Sequence, residues 1–127
     1  MICLDANFLV GGVVETRPES SCLIQWRELG EVFCTPAPAW YEFLCGPVDS
    51  SQITVIRAFL EGGIIPFEEP HARTAARLFN AVERCRRLRV DAMIAATSIQ
   101  QRARLATLNT TDFKLFVPHG LELATLP

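Results

Sequence analysis

Met1-Ile2-Cys3-Leu4-Asp5 is the stretch on which the reading of the chain turns. Ile2-Cys3-Leu4 is short and apolar throughout, the pattern of a strand covered on both faces rather than an amphipathic one. Asp5 then stands at its carboxyl end. A carboxylate in that place is costly to bury without partners, so Asp5 reads as a functional residue.

Moving outward, strands and helices alternate. Ser21–Leu29 has helical spacing, with Cys22, Trp26 and Leu29 on one face and Gly30 to close it. Val32–Thr35 is a second strand. Pro36 and Pro38 turn into a helix carrying Trp40 to Leu44, stopped by Gly46-Pro47. Ile53–Leu60 is another amphipathic helix, ended by Gly62-Gly63, and Ile64–Phe67 is a third strand. His71 to Arg87 has the clearest helical period, through Ala72, Ala75, Leu78, Phe79, Val82 and Cys85. At about 100° per residue, Arg73, Arg77, Arg84 and Arg87 share the opposite face. Asp91–Gln101 is the next helix, Leu105–Leu108 a fourth strand, and Leu121–Thr125 a fifth. The expected architecture is an α/β sheet covered by helices on both faces. The 127 residues show no repeat or linker, so one domain is expected over 1–127.

Composition narrows the classes. Half of the residues are hydrophobic and a fifth are charged, which is globular and not disordered. The longest uncharged runs, Val32–Tyr41 and Ala92–Gln101, are ten residues each, short of the roughly 18 that a membrane span needs. The start has no basic region before its apolar residues, so no signal peptide is read and a cytoplasmic location is expected. Cys3, Cys22, Cys34, Cys45 and Cys85 are odd in number and form no Cys-x-x-Cys pair. They read as free thiols in a reducing cytosol rather than a disulfide framework or zinc site. The two histidines, His71 and His119, lie beside prolines and give Cys–His catalysis little support. Net charge is −2, so there is no global case for nucleic-acid binding. Eleven of the twelve basic residues are nevertheless arginine, several of them within Arg73–Arg89, and arginine suits bidentate phosphate contacts.

In an open α/β sheet, sites form beyond the carboxyl ends of the strands, where strand order reverses. Asp5, Glu42, Asp91 and Asp112 can all reach that edge. Taken singly, Asp91 reads as an N-cap, Glu42 as a solvated helix charge and Asp112 as a loop residue or cap. The set means more than its members. Two carboxylates about 5 Å apart repel by roughly 3 kcal/mol at an effective dielectric near 20. Four together need shared protons, arginine or a cation. An all-oxygen site suits a hard ion, Mg²⁺ or Mn²⁺, rather than zinc. Such an ion can activate water against a phosphodiester. Thr107 and Asn109 add polar groups at the same edge, as site support or as ordinary turn chemistry.

These residues resemble a known family. Leu4-Asp5-Ala6-Asn7, Glu42-x-x-x-Gly46, Asp91-Ala92-Met93-Ile94-Ala95-Ala96-Thr97 and Thr107-x-Asn109-x-x-Asp112-Phe113 are similar, in order and spacing, to the motifs of PIN-domain ribonucleases. Size and motifs look most like the VapC toxins of toxin–antitoxin pairs. The resemblance implies a three-layer α/β/α domain whose parallel sheet has five strands in order 3-2-1-4-5. It implies Mg²⁺- or Mn²⁺-dependent endonucleolytic cleavage of RNA by a metal-activated water. Asp5, Glu42, Asp91 and Asp112 would hold the metal and its water, Asn7 and Thr107 would support the site, and Asn109 would hold Asp112. It further implies a homodimer and an antitoxin that wraps the toxin, often plugging the acidic pocket with an arginine. The chain departs from the pattern at Asn7-Phe8 and in the arginine-rich, glycine-free Glu83–Arg89.

Arg73 and Arg77 read as a solvated helix face, whereas Arg86, Arg87 and Arg89, close to Asp91, are candidates for RNA phosphate. A dehalogenase-like phosphatase would need a second Asp where Asn7 stands, and an active-site lysine where the chain has only Lys114. A phosphoacceptor receiver domain would need paired acids near the start and a late-strand lysine, which this chain lacks. A non-catalytic PIN-like module that binds RNA or protein stays open as the alternative.

Overall fold

The computed structural model describes residues 1–127. Four strands, β1 (Ile2–Leu4), β2 (Phe33–Pro36), β3 (Ile64–Ile65) and β4 (Arg104–Ala106), form a parallel sheet in the order β3-β2-β1-β4. Cys3 is in register with Cys34 on one side and Leu105 on the other, and Thr35 with Ile64. Parallel neighbours require crossovers, and helices supply them. α1 (Ala6–Gly12) and α2 (Pro18–Glu28) link β1 to β2, and α3 (Ala37–Cys45) and α4 (Ser50–Phe59) link β2 to β3. α5 (Glu69–Ala81) and α6 (Arg89–Gln100) then carry the chain back past β1 to β4, and α7 (Thr110–Phe113) follows.

Alternation along the strands divides the core in two. Ile2, Leu4, Phe33 and Ala106 pack with Phe8, Leu9, Leu23, Trp26, Phe43 and Ile56 of α1 to α4. Cys3, Cys34 and Leu105 pack on the other side with Ala75, Leu78, Ala92, Ile94, Ala95, Phe113 and Phe116. Both faces of the sheet are covered, which is why its strands are mostly apolar; Thr35 and Arg104 are the exceptions.

The expected fifth strand is reduced to a single parallel bridge between Leu105 and Leu123. The Leu105 amide donates to the Glu122 carbonyl and the Ala124 amide to the Leu105 carbonyl, each at 2.8 Å. β4 ends at Ala106, two residues short of the expected Leu108.

Helices also depart from expectation. α2 begins at Pro18 rather than Ser21, and α4 at Ser50 rather than Ile53. α1 has no counterpart among the helices expected from the sequence. It forms because the Asp5 side chain caps it and Phe8 and Leu9 are buried. Gly11 is required there, since a Cβ would lie 2.6 Å from Glu19 Cδ of α2. α5 stops at Ala81 rather than running to Arg87. Glu83 (φ 61°) and Arg84 (φ 57°) take left-handed conformations, reversing the chain into a 3₁₀ turn, Arg86–Leu88. The four-arginine face is therefore broken: Arg73 and Arg77 are on α5, while Arg84 and Arg87 lie beyond it. α6 begins at Arg89 with Leu88 as N-cap, so Asp91 is the third helical residue and not the cap.

Candidate active site

The sheet changes direction between β1 and β4, and both strands end there in a side chain that carries chemistry. Asp5 follows β1 and Thr107 follows β4. The Leu4 carbonyl beside them accepts a 2.8 Å bond from Thr35 Oγ1 of β2, fixing the end of β1. Thr35 was not singled out in the sequence; a lone hydroxyl residue within Phe33-Cys34-Thr35 was the available signal.

Asp5 is only 6% exposed. Its Oδ1 accepts from the Ala6 amide at 2.8 Å, and its Oδ2 accepts from Thr107 Oγ1 at 2.7 Å and Asn7 Nδ2 at 3.3 Å. Burial pushes the Asp5 carboxyl above its ordinary range, and these three hydrogen bonds oppose the rise only in part. Asn7 Nδ2 also lies 3.4 Å from Thr107 Oγ1, and Asn7 Oδ1 accepts from the Leu108 amide at 3.1 Å. Thr107 Oγ1 accepts from the Asn109 amide at 3.0 Å. Asn7 and Thr107 thus tie the ends of the first and last strands together around one carboxylate.

Asn109 Nδ2 donates to Asp112 Oδ2 at 3.2 Å, orienting the acid three residues on. Asp112 Oδ1 accepts from Arg87 Nη2 at 2.9 Å. Nothing in the sequence linked Arg87 to Asp112, 25 residues away; the left-handed turn after α5 makes the contact. Of the other candidate arginines, Arg86 is exposed and Arg89 lies over the Phe79 ring, 5.4 Å from its centroid.

Asp91, in the first turn of α6, is pushed up to about 6. Burial is the largest cause, followed by the charges of Asp5, Asp112 and Glu42, with Arg87 opposing. That ordering brings the four sequence-identified acids into one electrostatic neighbourhood. Glu42, on α3, is exposed, and partial burial and then Asp5 raise it above its usual range. As a donor set for a cation the four are all carboxylate oxygen, fitting a hard ion. They do not form a closed shell: no three His, Cys, Asp or Glu side chains converge at ligand distance. Mg²⁺ commonly keeps several waters and uses one or two carboxylates plus substrate phosphate, so an open set still fits.

The PIN domain profile matches residues 2–115. The chain belongs to the PIN-domain family. Solved structures share this PIN fold. Similar chains occur in VapBC2 from Rickettsia felis bound to a promoter DNA fragment (TM-score 0.78, 20% identity, 100% of each chain covered). Others occur in FitAcB from Neisseria gonorrhoeae (TM-score 0.72, 20% identity, 98% of this chain and 97% of that chain). A toxin–antitoxin complex from Klebsiella pneumoniae contains a further one (TM-score 0.67, 25% identity, 89% and 90%). No curated protein matches the sequence. No helix of this PIN domain is long and apolar enough to cross a membrane.

Proposed function

We propose that this PIN domain is a metal-dependent endoribonuclease, acting as the toxin of a toxin–antitoxin pair. The observation that carries the proposal is the carboxyl of Asp91, pushed up to about 6 by burial and by three neighbouring acids. A fold that keeps such repulsion at one sheet edge gains from a cation placed there. The PIN family supports the nuclease reading, and the toxin–antitoxin complexes among the similar structures support an antitoxin partner.

Asp5, Glu42, Asp91 and Asp112 would hold Mg²⁺ or Mn²⁺. When bound, the ion supplies charge stabilisation to the phosphodiester and activates the attacking water. Asn7 and Thr107 hold the Asp5 carboxylate in one orientation, and Asn109 does the same for Asp112. Arg86, Arg87 and Arg89 are assigned to RNA phosphate, a salt-dependent and sequence-blind contribution. The assembly proposed is a homodimer bound by its antitoxin.

The test is cleavage mapping across total RNA with Mg²⁺ or Mn²⁺, wild type against Asp5→Asn. Wild type is expected to leave 5′-phosphate and 3′-hydroxyl ends, and the variant to leave the RNA intact. A 2′,3′-cyclic phosphate product, or equal cleavage by the variant, overturns the proposal. The second reading is a non-catalytic module that binds RNA or protein. Divalent-ion titration separates the two, because the module takes up no ion.

A further inference from the structure

Arg87 is the one cationic side chain in hydrogen-bond contact with the four acids. Its backbone belongs to the 3₁₀ turn Arg86–Leu88, anchored by Leu88, which is 1% exposed. Its side chain is 59% exposed and Asp112's is 23% exposed. Besides Asp112, the guanidinium hydrogen-bonds only to Cys85 Sγ, which lies 3.3 Å from Nη1. The backbone is anchored by a buried neighbour while the head group faces solvent. Both Asp112 oxygens are engaged, Oδ1 by Arg87 and Oδ2 by Asn109. Asn109 is neutral and can keep its bond when Asp112 takes a new partner. Arg87 carries the same sign of charge as an incoming cation, so the two compete for one oxygen.

We propose that Arg87 is a built-in counter-cation: it occupies Asp112 while no divalent ion is bound and must be displaced as the site loads. It thereby sets the ion concentration at which the four acids fill. The inference rests on the metal-dependent reading of the site and adds a threshold to it. An ion pair this exposed is weak and exchangeable, as such a role requires. Arginine stays charged at every working pH, so the competition does not switch off.

The experiment is Mn²⁺ uptake by the RNA-free protein, read from the electron-paramagnetic signal of the free ion. Arg87→Gln is expected to bind Mn²⁺ about five- to tenfold more tightly than wild type, through loss of a competing charge beside the ligand. Arg86→Gln removes the same charge one residue away and is expected to change affinity by less than about twofold. Equal gains in both variants, or none in Arg87→Gln, overturn the inference. A second measurement needs no variant. The Arg87 side-chain ¹⁵N signals of wild type, followed through a Mg²⁺ titration, are expected to become those of a free guanidinium at saturation; unchanged signals overturn the inference. If wild type takes up no Mn²⁺, the metal-dependent function fails with it. If wild type binds and Arg87→Gln binds no tighter, only the counter-cation is lost.

Discussion

At Asp91, electrostatics sets a pH dependence whose sign can be worked out. Its carboxyl is raised from an ordinary 3.8 to about 6 in the fold. The unfolded chain therefore loses this proton more readily than the folded one. The corresponding stability is complete below about pH 4 and is lost as pH rises through about 6. Asp91→Asn cannot ionise, so without divalent ions it is expected to melt above wild type at pH 8. That advantage should vanish towards pH 4. Added Mg²⁺ should raise the wild-type melt at pH 8 and leave Asp91→Asn nearly unmoved. Melting curves at three pH values decide it, and a difference that ignores pH refutes the assignment. Asp5 was legible in the sequence because a carboxylate after three apolar strand residues has few innocent explanations. Asp91 and Glu42 gained meaning only as members of a set. The Arg87–Asp112 pair was not legible, because its closure depends on a turn that local periodicity does not encode.

That turn belongs to the scale of elements. Apolar spacing through Val82 and Cys85 continues the α5 pattern, and both residues do pack against the core. They do so from irregular backbone, which is why periodicity extended the helix too far. Two successive left-handed residues that are not glycine each cost roughly 1–2 kcal/mol. Glu83→Gly removes one such cost while adding freedom to the unfolded chain. The expected net gain is about 0.5 kcal/mol, read as a higher urea midpoint. A lower midpoint would show that the Glu83 side chain contributes more than its backbone loses. α1 illustrates the opposite failure: weak local helical signal was overridden by the Asp5 cap and by burial of Phe8 and Leu9. The strands fared best, since short apolar runs bounded by Gly, Pro or charge have few alternatives. The fifth is the exception: Leu121–Thr125 contributes only the Leu105–Leu123 bridge.

For the molecule as a whole, the family and layered architecture were legible from four spaced motifs, whereas the contacts that hold them at one edge were not. Those contacts span the chain: Thr107 Oγ1 meets Asp5 Oδ2 across 102 positions. A chain truncated after residue 103 retains Asp5, Glu42 and Asp91 but loses β4, Thr107 and Asp112. It is expected to take up no Mn²⁺ under conditions where the full chain does; uptake equal to the full chain's would contradict the assembly described. The pairing of β1 with β4 has a further consequence during synthesis. The ribosome delivers Asp5 long before Asp112, so a nascent chain carries an incomplete acid set until Asp112 has emerged. Under the proposed RNA cleavage, strand order would then act as a timer, keeping the growing polypeptide harmless to the message and ribosome that are making it.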